Sequence, residues 1–133
     1  MKKRFFIIED DVNILYAVQA QLRVHHFDTY IDNGVHGIET LLDSIQTEMP
    51  DYIILDLILP HIDGFELLDQ IKNNNIISSI PIFVFTNLSD EDTKVIVEKM
   101  GVEYHFIKSE MNVEQFINKI LKIIDNKSKI KLL

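Results

Sequence analysis

Short apolar runs alternate with stretches of helical periodicity along the whole of this 133-residue chain, and no other feature constrains its fold as strongly. Strands that alternate with helices build an α/β domain on a parallel sheet. Phe5–Ile8 reads as the first strand, and a helix from about Val12 to His25 follows with Ile14, Leu15, Val18 and Leu22 on one face. Phe27–Ile31 admits Asp28, Thr29 and Tyr30 and reads as an edge strand. Asn33-Gly34 then turns into a helix built on Ile38, Leu41, Leu42 and Ile45, which stops near Met49-Pro50. Tyr52–Leu57 is apolar on both faces, as a central parallel strand should be.

The second half repeats the pattern. Asp63-Gly64 signals a turn before a helix using Phe65, Leu68 and Ile71, which Asn73-Asn74-Asn75 ends. Pro81 stands where a strand tolerates proline, at its first residue. Ser89-Asp90 can cap a helix carrying Val95, Ile96 and Met100, closed by Gly101. Tyr104–Ile107 reads as a second edge strand. The last helix places Val113, Phe116, Ile117, Ile120, Leu121 and Ile124 at the helical period. Five βα units result, giving one doubly wound, five-stranded parallel sheet whose right-handed crossovers put five helices on its two faces.

Charge sits at particular places in that scheme. Asp56 ends the apolar run Tyr52-Ile53-Ile54-Leu55, where a carboxylate needs something to stabilise it. Glu9-Asp10 follows the first strand, Thr86 follows Ile82-Phe83-Val84-Phe85, and Lys108 follows Phe106-Ile107. Open α/β sheets bind ligands beyond the carboxyl ends of their strands, and all these groups fall there. Singly they are weak signals. Glu9-Asp10-Asp11 alone is an acidic helix start that complements the dipole, and Asp11 is expected to be no more than that. Asp56 alone is a strand-end turn residue. Jointly they describe a site built to accept a phosphoryl group on Asp56, while Asp63-Gly64 is assigned to turn geometry.

Composition excludes several classes. The 47% apolar content suits one folded domain, and the absence of cysteine removes disulfides and thiolate metal sites. Met1-Lys2-Lys3-Arg4 opens like a signal peptide, but the apolar stretch stops at Glu9, too short for a secretory core or a membrane span. A cytoplasmic location is the expectation. A net charge of −8 argues against a nucleic-acid surface. Residues 126–133 carry three lysines and no acid, and are expected to form a short, frayed basic tail after a domain spanning 1–125.

The strings Ile7-Ile8-Glu9-Asp10-Asp11, Pro50–Gly64 around Asp56, Pro81–Thr86 and Lys108 together resemble a two-component response regulator receiver domain. The resemblance runs to about Asp125 and implies a flavodoxin-like sheet of order 2-1-3-4-5. It implies a phosphoacceptor switch in which Asp56 takes a phosphoryl group from a sensor histidine kinase or a histidine phosphotransfer protein. Such a regulator catalyses only its own phosphorylation and dephosphorylation. Clustered carboxylates repel one another unless a cation joins them. Mg²⁺ suits Asp10 and Asp56 as direct ligands, with Glu9 acting through water. The family adds a backbone carbonyl ligand, here that of Ile58. Thr86 and Lys108 would receive the phosphoryl oxygens.

Rival classes fare worse. A haloacid dehalogenase-type phosphatase needs a second aspartate where Ile58 stands. A flavin binder needs a hydroxyl- and glycine-rich loop where Glu9-Asp10-Asp11 stands. A pseudo-receiver that docks partners without phosphorylation is the stronger alternative, although no acid, acceptor or lysine is lost.

Some positions depart from the family pattern. Ser109 replaces a frequent proline after the lysine, and Asn87 replaces a small residue after the threonine, where it is expected to narrow the donor's approach. His105 occupies the position of the aromatic switch, and the bland reading is a ring that fills the slot. Histidine also titrates near neutrality, so acidification is expected to alter the switch. Phosphorylation would draw Thr86 inward, let His105 follow, and change the face of the fourth helix, fifth strand and fifth helix that a downstream protein reads. A phosphorylation-dependent homodimer is one compatible output. Ile58 and Leu88 offer nothing to orient an attacking water, so a long-lived phosphoprotein is expected. Because the chain opens on Met1 and no output module follows, a stand-alone regulator is the expectation.

Overall fold

Every strand ends with its carboxyl edge on the same side of the sheet, and this places the polar groups together. The computed structural model describes the backbone of residues 2–132 and side chains through residue 128, so Met1 and Leu133 lie outside the described residues. The elements are β1 (Arg4–Ile8), α1 (Val12–Val24), β2 (Asp28–Asp32), α2 (Ile38–Glu48), β3 (Tyr52–Leu55), α3 (Gly64–Lys72), β4 (Ile82–Thr86), α4 (Glu91–Lys99), β5 (Tyr104–Ile107), a 3₁₀ turn (Lys108–Glu110) and α5 (Val113–Leu132). The strands pair in parallel in the order β2-β1-β3-β4-β5. The expected flavodoxin-like architecture is what forms.

The starts of α1, α3 and α4 are fixed by aspartates whose side chains satisfy otherwise orphan amides. Asp11 accepts the N–H groups of Asn13 at 3.0 Å and Ile14 at 3.3 Å, Asp63 accepts that of Phe65 at 2.9 Å, and Asp90 accepts that of Thr93 at 3.1 Å. Asp11 is therefore the cap it was expected to be.

The sheet buries both faces. Phe6, Ile8, Ile53, Leu55 and Val84 pack under α2, α3 and α4, against Leu41, Ile45, Leu67, Ile71 and Val97. The alternate residues Phe5, Ile7, Ile54, Phe83 and Phe85 pack under α1 and α5, against Leu15, Leu22, Phe116 and Ile120. Two-faced burial is why these strands read as apolar runs rather than alternating ones.

Three boundaries and one helix face differ from expectation. β3 ends at Leu55 rather than Leu57, because Asp56 turns its carboxylate back onto the Ile58 amide at 3.0 Å and breaks the ladder. β2 runs Asp28–Asp32, one residue later than read, with Ile8 opposite Asp32. In α4 the inward residues are Thr93 and Val97, with Met100 partly buried, while Val95 and Ile96 are exposed. Thr93 can be buried because its hydroxyl donates to Asp90 at 2.7 Å. Finally, α5 continues through 126–132 instead of fraying. Lys127 anchors that extension, with its ammonium 5.1 Å from the Tyr104 ring centroid and 3.5 Å from the Glu103 carboxylate. No described helix is long and apolar enough to cross a membrane.

Candidate functional site

The acidic and basic groups stand at the ends of β1, β3 and β5, and β4 lies between the last two. The Glu9 amide donates to the Asp32 carbonyl at 3.1 Å and the Asp56 amide to the Ile8 carbonyl at 3.1 Å, so the backbone stays tied just past the ladders. Glu9 and Asp56 are buried, at 3% and 4% exposure, while Asp10 faces solvent. One carboxylate oxygen from each of Glu9, Asp10 and Asp56 lies within 4.8 Å of the others.

Lys108 answers that charge. Its ammonium stands 2.6 Å from Glu9 Oε1 and 2.6 Å from Asp56 Oδ2. The lysine arrives from the end of β5, across the Phe85 ring. Burial pushes the Glu9 carboxyl up to about 7, with the Asp56 charge adding to the rise and the Lys108 hydrogen bond opposing it. Burial works against the charge on Lys108, but its bonds to Asp56 and Glu9 outweigh it and hold the ammonium above its ordinary range. The remaining Glu9 oxygen accepts the Asp11 amide at 3.2 Å. The set is hard, oxygen-only and open to solvent at Asp10, so it fits a divalent cation such as Mg²⁺.

Thr86 ends β4 fully buried, and its hydroxyl oxygen accepts the Leu88 amide at 3.4 Å. His105, two residues before Ile107, is half-buried, with Nε2 3.1 Å from the Leu88 carbonyl. A carbonyl only accepts, so Nε2 carries the proton and donates. Burial lowers the His105 pKa, and nearby Lys94 lowers it further, against the Leu88 bond and Asp90. The ring is thus fastened to the loop after β4. Ile58 meets Asp56 through its N–H, and its side chain is 50% exposed.

Sequence reasoning overlooked Asp32 and did not foresee the contacts of Gly64 and Asn87, both of which it had named. Asp32, buried at the end of β2, accepts the Gly34 amide at 2.8 Å and lies 3.2 Å from His36 Nδ1. The rule that flagged Asp56, an acid ending an apolar strand, applies to Asp32 once β2 is extended by a residue. Gly64 is not only a turn residue: it opens α3 buried against Leu57, where a Cβ would overlap the Leu57 carbonyl and Cα. Asn87 does not merely stand beside the site, since its side-chain oxygen accepts the Ser109 amide at 2.9 Å. No single-residue signal marks that pairing.

Residues 5–121 match the family model of the response regulator receiver domain. The chain is 30% identical over 118 residues to Response regulator ArlR of Staphylococcus saprophyticus, covering 88% of this chain and 50% of that protein. It is 26% identical over 121 residues to Protein PilH of Pseudomonas aeruginosa, covering 89% of this chain and 97% of PilH. The chain spans about half the length of ArlR and of several other relatives that it matches. Among solved structures, a receiver domain protein from Methanospirillum hungatei superposes with a TM-score of 0.81 at 22% identity, covering 97% of this chain and 98% of that one. The Mn(2+)-bound form of response regulator Rcp1 superposes with a TM-score of 0.74 at 26% identity, covering 91% of each chain. With the family match spanning most of its length, the chain belongs to the response regulator receiver domains of two-component systems.

Proposed function

We propose that Asp56 is the phosphoacceptor of a Mg²⁺-dependent signalling switch. The observation that carries this is the buried Asp56 carboxylate, held by Lys108 beside Glu9 and Asp10. A carboxylate oxygen of Asp56 attacks the phosphorus of a phosphohistidine. The new O–P bond gives an acyl phosphate, the N–P bond breaks, and the leaving imidazole takes up a proton. Lys108 is within reach of the incoming phosphoryl oxygens, and the Thr86 hydroxyl ends the neighbouring strand. Bound Mg²⁺ would supply charge neutralisation for those oxygens, with Asp10, Asp56 and the Ile58 carbonyl as ligands and Glu9 acting through water. The Mn(2+) bound to Rcp1 supports a divalent cation here.

The donor is a sensor histidine kinase or a histidine phosphotransfer protein, encountered in the cytoplasm. A downstream protein reads the α4–β5–α5 face, where an open groove of 590 Å³ is lined by Lys94, Val97, Val102 and His105. Phosphorylation shifts the face and the partner shifts phosphorylation, because coupling between sites is reciprocal. Phosphorylation-dependent homodimerisation through the same face is compatible with this scheme. Ile58 and Leu88 bring no polar side chain to a hydrolytic water, so the acyl phosphate persists longer than in chemotaxis-type receivers; its loss within seconds in Mg²⁺ would refute that expectation.

Intact mass after incubation with acetyl phosphate tests the assignment. The chain gains one phosphoryl group with Mg²⁺ and none with chelator, and Asp56→Asn gains none. An unphosphorylated chain that still binds its partner would instead establish a phosphorylation-independent docking module.

A further inference from the structure

The β4–β5 ladder ends at the pair Thr86 and Ile107, one residue short of Lys108. Beyond that last pair the backbone strands part, since the chain enters a 3₁₀ turn at Lys108–Glu110 while the other side loops toward α4. One side chain bridges the gap. Asn87 Oδ1 accepts the Ser109 N–H at 2.9 Å, adding a rung immediately after Thr86 on one side and Lys108 on the other. Both ends of this rung are adjacent in sequence to groups of the site. Asn87 follows Thr86, and Ser109 follows the lysine whose ammonium sits 2.6 Å from two buried carboxylates.

The backbone of the turn has few other ties. Within it the Met111 amide reaches the Lys108 carbonyl at 3.4 Å, a long bond that closes the turn on itself and does not fasten it to the sheet. On the other strand, the loop after Thr86 is fastened at Leu88, whose carbonyl accepts from His105. The Asn87 rung therefore joins a loop already secured to β5 with the turn that carries Lys108. It needs an N–H at position 109, which a proline could not supply.

We infer that Asn87 is a positioning residue for Lys108, and that Asn87 and Ser109 act as one unit. The side chain is turned sideways into the Ser109 amide, a role that competes with the expectation that its bulk narrows the donor's approach. The two roles have opposite signs. An obstruction removed by Asn87→Ala speeds phosphorylation, whereas a lost rung slows it, because the lysine spends less time where the transferring group needs it. This inference rests on Asp56 being the phosphoacceptor, but its structural half does not.

The test uses the full chain with Asn87→Ala, Asn87→Asp, Ser109→Pro and the double variant Asn87→Ala/Ser109→Pro. Amide hydrogen exchange read at Ser109, without phosphodonor, shows protection lost in Asn87→Ala and kept in Asn87→Asp, which retains an oxygen acceptor at the same reach. With acetyl phosphate and Mg²⁺, Asn87→Ala and Ser109→Pro each slow phosphorylation by about threefold, as expected for one partly solvated hydrogen bond. The double variant is no slower than the slower single one. Faster or unchanged phosphorylation of Asn87→Ala, losses that multiply in the double variant, or unchanged Ser109 protection in Asn87→Ala each overturn the inference. If the native chain takes up no phosphoryl group, the receiver assignment fails, and the exchange measurement still decides whether the rung exists.

Discussion

Gly64 shows how one atom can govern the neighbourhood of Asp56. Its hydrogen faces the Leu57 backbone, one residue beyond the acceptor, so α3 starts where any Cβ would overlap the chain. Gly64→Ala is expected to lower stability by about 1–3 kcal/mol in urea unfolding, the range of core overpacking; a variant as stable as the native chain would show that the loop has room to shift. His105 makes a pH-dependent prediction. Burial lowers its folded pKa, so in the acid range the unfolded chain binds more protons there and stability declines as pH declines. Its contribution is intact above about 6.5, the unfolded value, and is lost as pH drops through the lowered folded one. Compared with His105→Phe, the native melting temperature should fall further between about pH 7.5 and about pH 5. Parallel pH profiles of the two proteins would sink this account. That Glu9, Asp56, Thr86 and Lys108 meet at one sheet edge was legible in the sequence, because each ends or follows an apolar run. Asn87–Ser109 was not, because a rung between two polar loop residues leaves no periodic trace.

At the level of elements, α4 is where periodicity failed. Its apolar residues Val95, Ile96 and Val97 are consecutive, so they cannot all face inward, and the buried face is completed by Thr93, a polar residue. Only the Asp90 cap, which accepts the threonine hydroxyl, makes that burial tolerable. Val97→Ala is therefore expected to destabilise by roughly 1–3 kcal/mol, whereas Val95→Ser and Ile96→Ser stay within about 0.5 kcal/mol of native, all measured by denaturant unfolding. The reverse order would mean that α4 packs through the other face. Exposed Val95 and Ile96 also put apolar surface on the element that the proposed output face uses. The end of β3 was misplaced for a related reason: Leu57 is as buried as a strand residue, yet Asp56 has already diverted the backbone.

Across the whole molecule, the two-sided burial was legible in the apolar runs, whereas the sheet order came from the family resemblance and is the order that forms. The same topology brings Glu9, Asp56, Thr86 and Lys108 to one edge from strands separated by dozens of residues, so fold and site were read together. The segment after Asp125 was not legible: composition marked a basic tail, while Lys127 docks on Tyr104 and α5 continues. Everything proposed for signalling depends on one covalent event at one carboxylate. Borohydride reduction of the phosphorylated chain, followed by peptide mapping, reads that event directly, since an acyl phosphate is reduced to an alcohol. Conversion of residue 56 to homoserine, only after Mg²⁺-dependent phosphorylation, is the predicted result; a phosphorylated chain with residue 56 still aspartate, or homoserine at another position, would contradict it.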